Sequence, residues 1–323
     1  MRRPTWTLGN EHATGLFFLA VSTIAGSTYA AFAKQLSGVL SPPTLVFISE
    51  TLVLLFLCAS WGLLPILRII ARTEKKEVIA LVAVGILHGV MGPLLWFLSL
   101  HWTTAVNATL FGNTEIIITM ALSALFLGEV LTKSRLTAAS IVFCGLIVVA
   151  LQGFTQGVAF HRGDLLIVVA SACFAVGNIV IHGHLSNIPI PGVVLMKSTI
   201  AIVCFFLISP FLTHPLIAEV RTFPRELLLT LLGFSFISRF LNICSTYETI
   251  ERMPVGIVAI FGSLTVIGST LFSHVFLGET IAWYHLLGGA FIILGTLSLE
   301  LMESKGTPKI VRKKLHTRRR HHT

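Results

Sequence analysis

The chain has 323 residues, of which 54% are hydrophobic and 11% charged, with a mean hydropathy of +0.88 and a net charge of +9. A soluble globular domain carries about 25% charged residues, so this composition argues against a water-soluble protein and indicates a membrane. The five cysteines stand singly inside apolar segments, which argues against a disulfide framework or a cysteine metal site.

Ten apolar segments each have the roughly 20 residues that a helix needs to cross a bilayer. We number them spans 1 to 10 in chain order: 15–36, 44–67, 78–100, 105–127, 136–154, 164–185, 191–212, 226–247, 254–277 and 281–302. A helix satisfies its backbone hydrogen bonds within one segment, as lipid requires. The predicted fold class is therefore an all-α integral membrane protein with ten transmembrane helices.

The basic residues predict the orientation. With the N-terminus in the cytoplasm, 17 of the 23 Lys and Arg residues lie in cytoplasmic connections or termini, 4 lie outside and 2 lie within spans. This positive-inside bias predicts cytoplasmic segments 1–14 and 303–323, in a bacterial inner (plasma) membrane. We expect the basic tail to contact anionic lipid. Nucleic acid is not an expected partner, because the tail has no interleaved aromatic residues.

The sequence contains an internal repeat. Phe126-Leu127-Gly128-Glu129 recurs as Phe276-Leu277-Gly278-Glu279, and 105–150 aligned with 255–300 gives ten identities in 46 positions. The repeat divides the chain into units 15–154 and 155–302. Because each unit has five spans, an odd number, the second must be inverted in the membrane.

Charge supports the inversion. Lys133 and Arg135 follow the first copy of the motif, whereas Trp283 and His285 stand at the matching places after the second. Basic residues thus occur where the connection is predicted to be cytoplasmic, and aromatic residues where it is predicted to be outside.

Two five-span halves, with Leu-Gly-Glu ending spans 4 and 9, resemble the EamA type of the drug/metabolite transporter superfamily. Lys34 resembles the lysine that often closes the first helix of that family, and 174–178 resembles the opening of its sixth helix. Glu50 departs from the pattern, since the family often has Arg early in span 2. The resemblance covers about 15–302 and implies a small organic solute as the transported partner, with export as the commoner direction.

Charged and polar residues within spans are the candidates for a solute or coupling site, because a charge in the bilayer usually faces protein or a water-filled cavity. The candidates are Glu50, His88, Glu115, Asn178, Lys197, Arg239 and Tyr247. Glu50 and Lys197 occupy similar places in the two halves. The pseudo-symmetry favours a pairing of the two as a gate or a handle for a zwitterionic solute. The alternatives are a structural ion pair and two side chains that extend separately toward the membrane surface.

Glu115 is the candidate for proton coupling, with binding of a solute amine or a neutral interhelical contact as alternatives. His88 suits proton transfer but lies among glycines typical of tight packing. Arg239 suits a carboxylate or phosphate, or a nearby acid. Asn178 and Tyr247 can add hydrogen bonds to a pocket or between helices.

The repeated motif itself has a structural interpretation. Four motif residues stand at span ends, where we expect them to shape tight turns between packed helices: Gly128, Glu129, Gly278 and Glu279. Lys34, at the outer end of span 1, is likewise expected to have a structural role. Spans 5 and 10 carry small residues that suit close packing or a homodimer interface, namely Gly145, Gly288, Gly289 and Gly295.

The predicted function is secondary-active or facilitative transport of a small organic metabolite, an amino acid or related solute, or an amphipathic toxic compound. Export is expected, by alternating access around a midplane site lined by spans 1, 3, 4, 6, 8 and 9. The alternatives are uptake or exchange of a nucleotide-like solute, and a membrane enzyme or receptor. No enzyme activity, cofactor or metal is expected, since catalytic and nucleotide-binding motifs are missing from the sequence.

Overall fold

The computed structural model describes residues 11–71, 73–128, 132–151, 161–185, 188–252 and 255–306. Within these ranges the chain is helical, with short turns and no strand. Glu129 and most of the predicted terminal segments 1–14 and 303–323 lie outside the described residues, as does the side chain of Tyr247.

Nine α-helices lie in the described residues of the first half. They are α1 (Glu11–Ser27) and α2 (Tyr29–Ser37) in span 1, α3 (Pro42–Trp61) and α4 (Leu63–Ala71) in span 2 and beyond, α5 (Lys75–Val84) and α6 (Gly92–Ser99) in span 3, α7 (Ala105–Gly112) and α8 (Thr114–Phe126) in span 4, and α9 (Lys133–Ala150) in span 5. The prediction of one helix over 44–67 was wrong, because Gly62 adopts a φ of +76° and ends α3.

The second half follows the same order. It contains α10 (Arg162–His184) in span 6, α11 (Ile190–Ile208) in span 7, a short connecting helix α12 (Leu216–Thr222), α13 (Leu228–Gly233) and α14 (Asn242–Arg252) in span 8, α15 (Val255–Leu277) in span 9 and α16 (Trp283–Gly306) in span 10. Helix α12 had no counterpart among the predicted spans.

The helices confirm the predicted fold class. Within the described ranges, seven are long and apolar enough to cross a membrane: Ala13–Ser37, Pro42–Trp61, Lys75–Ser99, Ala105–Phe126, Arg162–Ile181, Ile190–Phe211 and Arg225–Thr246. Shorter apolar helices, Leu136–Ala150, Leu264–Leu277 and Trp283–Ser298, occupy spans 5, 9 and 10. The chain is therefore an all-helical, multi-span membrane protein.

Spans 3 and 8 each contain a π-helical segment at equivalent places in the two halves. The segments are Gly85–Met91 and Phe234–Leu241, so each interrupts its span near the middle. Pro93 follows the first segment and cannot donate a backbone hydrogen bond to the turn before it, which favours the wider turn there. π-Helical turns occur often at functional positions, and these two carry His88 and Arg239.

The two halves pack through reciprocal contacts. Span 1 lies against spans 8 and 9 of the second half, and span 6 lies against spans 3 and 4 of the first. Span 2 packs on span 7, and span 5 packs on span 10. Each contact is matched by one in which the halves exchange roles, as two repeats related by a pseudo-two-fold axis require.

Glycines bring spans 5 and 10 close together. A Cβ atom on Gly145 would lie 2.6 Å from the carbonyl oxygen of Gly288, and one on Gly295 would lie 2.8 Å from that of Ala138. Small residues permit such close backbone approach in membranes. The predicted packing role of these glycines is therefore filled within one chain, and the homodimer stays a prediction.

We expect Gly288→Val to destabilise this pair of spans. A Cβ atom there would lie 2.4 Å from Val149 Cγ2 and 2.7 Å from the Gly145 carbonyl oxygen, so the helices must separate. Overpacking of this kind costs about 1–3 kcal/mol. Thermal unfolding in detergent measures the loss. Gly233→Ala is the matched control, because its Cβ would meet no atom closer than 3.8 Å. Equal melting temperatures for the two variants would contradict the packing role.

Candidate solute site

The two ends of the bundle are distinguished by the connections that they carry. The end that carries the connections between spans 1 and 2, 3 and 4, 5 and 6, 7 and 8, and 9 and 10 is called the predicted outer face. The opposite end is called the predicted inner face. These names follow the topology predicted from the basic residues.

A buried ionic network joins spans 2, 7 and 8 at mid-depth. The Glu50 carboxylate accepts hydrogen bonds from Lys197 Nζ at 3.0 Å and from Arg239 Nη2 at 2.5 Å, both to Oε1. Its Oε2 accepts one from Ser198 Oγ at 2.6 Å. Arg239 Nη1 also donates to Ser49 Oγ. The expected pairing of Glu50 with Lys197 is thus present, with Arg239 as a third charged member.

The geometry favours the structural interpretation of this network. The Glu50 side chain is 0% exposed and its two oxygens accept three bonds, so a solute has no open position on it. A buried charge is tolerated only when paired and hydrogen-bonded, and Glu50 meets that condition. Lys197, whose side chain is 11% exposed, is the more accessible partner.

His88 joins span 3 to span 6. Its Nε2 lies 2.8 Å from the carbonyl oxygen of Phe174 and donates to it, because a carbonyl only accepts. Gly177 makes the contact possible, since a Cβ atom there would lie 2.2 Å from the imidazole ring. His88 therefore fixes the turn of span 6 that leads to Asn178.

Glu115 lies against the same turn from span 4. Asn178 Nδ2 donates to Glu115 Oε1 over 2.7 Å. An amide carries no charge, so this partner does not compensate a carboxylate as the two cations compensate Glu50. The pair of Glu115 and Asn178 is therefore the acidic place in the middle of the bundle where a proton or a cationic group can be accepted.

Span 4 changes character at Asn113, where α7 ends. Five residues of α7 are buried, namely Ala105, Val106, Ala108, Leu110 and Phe111. None of the residues of α8 is buried, although α8 packs on α10 and α9. The side chains of α8 therefore remain partly accessible along its length, unlike those of α7. Glu115, in the first turn of α8, lies where the buried part of span 4 ends and the more accessible part, which continues toward the predicted inner face, begins.

Aromatic side chains lie next to the acidic pair on the side of the predicted outer face. The ring of Trp96 packs on Gly112, where a Cβ atom would lie 2.8 Å from Cη2. Tyr29 meets Trp96 edge-on, with centroids 6.1 Å apart. Gly112 is one helical turn from Glu115, about 5 Å along the axis. Trp96 Nε1 is buried and has no hydrogen-bond partner among the described residues, so this donor is available to a solute.

Hydroxyl residues stand at the places that the repeat relates to His88, Glu115 and Asn178. At the 150-residue offset, His88 corresponds to Ser238, Glu115 to Thr265 and Asn178 to Thr28. Thr28 and Ser238 share a hydrogen bond of 2.6 Å, and Ser27 Oγ donates to the Thr265 carbonyl at 3.5 Å. The backbone repeats, but the acidic chemistry belongs to one half.

The remaining predicted residues lie at the ends of spans. Gly128 and Gly278 have φ values of +67° and +68° and turn the chain there, as expected of them. Lys34 Nζ donates to the carbonyl oxygens of Leu100 and of Thr103, the latter at 2.8 Å. Glu279 contacts the start of span 4. Glu129 and the side chain of Tyr247 lie outside the described residues.

Sequence reasoning missed several polar partners. Ser49 and Ser198 complete the ionic network, and the only available signal was that each adjoins a charged candidate in the sequence. Asp164, at the start of span 6, accepts a 2.5 Å hydrogen bond from Thr103 Oγ1 in the other half. Across the part of the chain that the structure describes, no group of three His, Cys, Asp or Glu residues is placed to hold a metal ion.

Comparison with known proteins identifies the family. The profile of the EamA-like transporter family matches twice, over residues 13–151 and 161–300. The chain belongs to the EamA-like transporter family. Two matches in tandem, one on each half, agree with the repeat and with the reciprocal packing of the spans.

Two relatives carry transporter names. The uncharacterized transporter YyaM of Bacillus subtilis is 22% identical over 228 residues, which are 69% of this chain and 73% of the relative. An uncharacterized transporter of Methanothermobacter thermautotrophicus is 26% identical over 238 residues, 71% of this chain and 66% of the relative. Together with the family, they make this EamA-like protein a membrane transporter.

A solved crystal structure supports the fold. It superposes with a TM-score of 0.58 and 17% sequence identity, over 90% of this chain and 98% of the other. At that identity the likeness concerns the arrangement of helices, so the chemistry of the site must be argued from the residues of this chain.

We expect Glu50→Gln to destabilise the protein strongly. The change leaves Lys197 and Arg239 buried without their carboxylate, and removing one partner of a buried ion pair costs about 3–5 kcal/mol. Yield of folded protein and detergent melting temperature measure the loss. Ser49→Ala, which removes one neutral partner of Arg239, should cost less.

A triple variant separates stability from charge at this network. Glu50→Leu with Lys197→Met and Arg239→Met replaces all three charges by apolar side chains and should recover much of the stability. If E50Q instead has the same melting temperature as the unaltered protein, the network is not what holds spans 2, 7 and 8 together.

Proposed function

We propose that this EamA-like protein is a secondary transporter that exports a small organic metabolite, with an amino acid, a related solute or an amphipathic toxic compound as the class. Transport proceeds by alternating access, the two halves rocking around a site near the midplane. The observation that carries the proposal is the hydrogen bond between Glu115 of the first half and Asn178 of the second, at the point where span 4 changes from buried to accessible.

The pair suits coupling to protons. Glu115 is hydrogen-bonded to a neutral amide and begins the accessible part of span 4, so we propose that it exchanges a proton with water from the predicted inner face. Intramembrane carboxylates of this kind form proton relays in transporters. The structural network around Glu50 lies apart from this role, because its carboxylate is already shared by Lys197, Arg239 and Ser198.

The aromatic side chains suit the organic part of the solute. Tyr29 and Trp96 offer ring surface beside Gly112, and the Trp96 indole adds a free donor. Apolar surface with a few placed polar groups is the usual lining of small-molecule sites. Uptake or exchange of a nucleotide-like solute is the alternative. It requires a cationic group for phosphate, and Lys197 is the accessible basic side chain of the mid-depth network.

Reconstituted protein tests the transport function. Solute flux into proteoliposomes is measured with a panel of amino acids, amphipathic amines and nucleotides, with and without a pH gradient. We expect flux of an amino acid or amine that the gradient accelerates. Absence of flux for every solute, from protein shown to be folded, would overturn the transport proposal.

Glu115→Gln tests the coupling role. The amide cannot release or accept a proton, so we expect the variant to keep solute exchange but to lose acceleration by the gradient. Glu74→Gln is the matched control, since Glu74 lies at the start of α5, near the predicted inner face. Flux of E115Q that still responds fully to the gradient would remove Glu115 as the coupling residue.

The orientation is part of the proposal and has its own test. With both termini cytoplasmic in the inner membrane, green fluorescent protein fused to the C-terminus should fluoresce and alkaline phosphatase fused there should be inactive. Fusions after Thr280, in the connection between spans 9 and 10, should give the reverse result. Active phosphatase at the C-terminus would mean that the topology is inverted.

A further inference from the structure

The second copy of the repeated motif makes a contact between the halves. Glu279, which follows the end of span 9, accepts hydrogen bonds from the backbone of span 4. Its Oε1 lies 2.7 Å from the nitrogen of Ala105, and its Oε2 lies 2.9 Å from that of Val106. One side chain from the second half thus holds the first turn of a helix in the first half.

Two physical effects stabilise this contact. The first backbone N–H groups of a helix have no partner within the helix, and a negative charge there also meets the positive end of the helix dipole. Thr104 already accepts from Asn107, so Glu279 supplies acceptors for the N–H groups that this cap leaves over. Turn geometry alone, the role expected of the motif, does not require a bidentate bond to the other half.

Neighbouring groups concentrate further contacts between the halves at the same face. Thr103 donates to Asp164 at 2.5 Å, and Ser41 donates to Glu219 from its backbone nitrogen at 3.0 Å. Lys34, which is close enough to Glu279 to interact with its charge, holds the carbonyl oxygens of the connection before span 4. The predicted outer face is therefore closed by polar bonds that cross from half to half.

The turn before Glu279 leaves open space around Gly278. Gly278 has a φ of +68°, and a Cβ atom on it would meet no atom within 4 Å. The main chain of Glu279 is held by His274, whose Nδ1 donates to its carbonyl oxygen over 2.8 Å, whereas the Glu279 carboxylate is held by Ala105 and Val106. In contrast, the buried residues of α7 stand directly behind those two nitrogen atoms and are what an opening of this face would expose.

We propose that Glu279 is the latch that closes the predicted outer face, and that its release from the start of span 4 opens the site to that side. The latch rests on the alternating access of the proposed function. In the closed arrangement the bonds of Glu279 shield the region above Gly112, and breaking them lets span 9 and span 4 separate. A purely static cap would stabilise α7 without affecting access.

Access to a buried reporter tests the latch. In protein whose five native cysteines have been replaced, Ser171→Cys places a thiol beside Gly112, to whose carbonyl oxygen Ser171 donates. A membrane-impermeant maleimide is applied from each side, using right-side-out and inside-out vesicles. We expect slow labelling from the outer side in the otherwise unaltered protein. We expect labelling several-fold faster from that side when Glu279→Gln removes the charge.

Controls separate the latch from a general loss of structure. Glu77→Gln removes a carboxylate that accepts the backbone N–H of Glu74 within one helix, and should leave labelling unchanged. Glu279→Asp keeps the charge on a shorter side chain and should give an intermediate rate if E279Q folds poorly. Unchanged outer labelling in folded E279Q and E279D would overturn the latch.

The labelling needs no solute, so the two proposals fail separately. Faster outer labelling of E279Q without flux of any solute would contradict the transport proposal and support the latch proposal. Normal gradient-driven flux, with labelling unaffected by E279Q and by E279D, would contradict the latch proposal and support the transport proposal.

Discussion

The fold depends on how a membrane interior accommodates one carboxylate. Glu50 is fully buried where spans 2, 7 and 8 meet, and it is tolerated because Lys197, Arg239 and Ser198 all donate to it. Those donors come from the second half, so the charge can be buried only if the halves are assembled. The same network places the π-helical segment of span 8 and leaves Lys197 beside span 3, where a Cβ on Gly89 would lie 2.7 Å from its carbonyl oxygen.

Around that fixed point the two halves share a backbone plan but differ in chemistry. Reciprocal packing of spans 1 and 6 on the opposite halves gives the symmetric frame that a rocking movement needs. The pair joins Glu115 of the first half to Asn178 of the second, and the places related to them by the repeat carry the hydroxyl residues Thr265 and Thr28. A symmetric scaffold with a one-sided site can present the same carboxylate to either side of the membrane in turn.

The state described here is closed at one end. Polar bonds between the halves join them at the predicted outer face, whereas α8, which runs toward the other end, buries none of its residues. Low identity to the compared proteins, 17% to 26%, means that family membership establishes the helical architecture and transport. Solute and coupling must follow from residues that this chain places around Glu115.

Much of the architecture was predictable from the sequence, because apolar length, basic residues and the 150-residue echo are local or periodic signals that need no contacts. They predicted the ten spans, the two halves and the pairing of Glu50 with Lys197. Four features were not predictable in this way: the break at Gly62, helix α12, the third charged member of the Glu50 network, and the hydrogen bonds of Glu279 to span 4. The last two depend on which atoms meet across the two halves, and hydrogen bonds between residues 148 to 189 positions apart form only once the chain has folded.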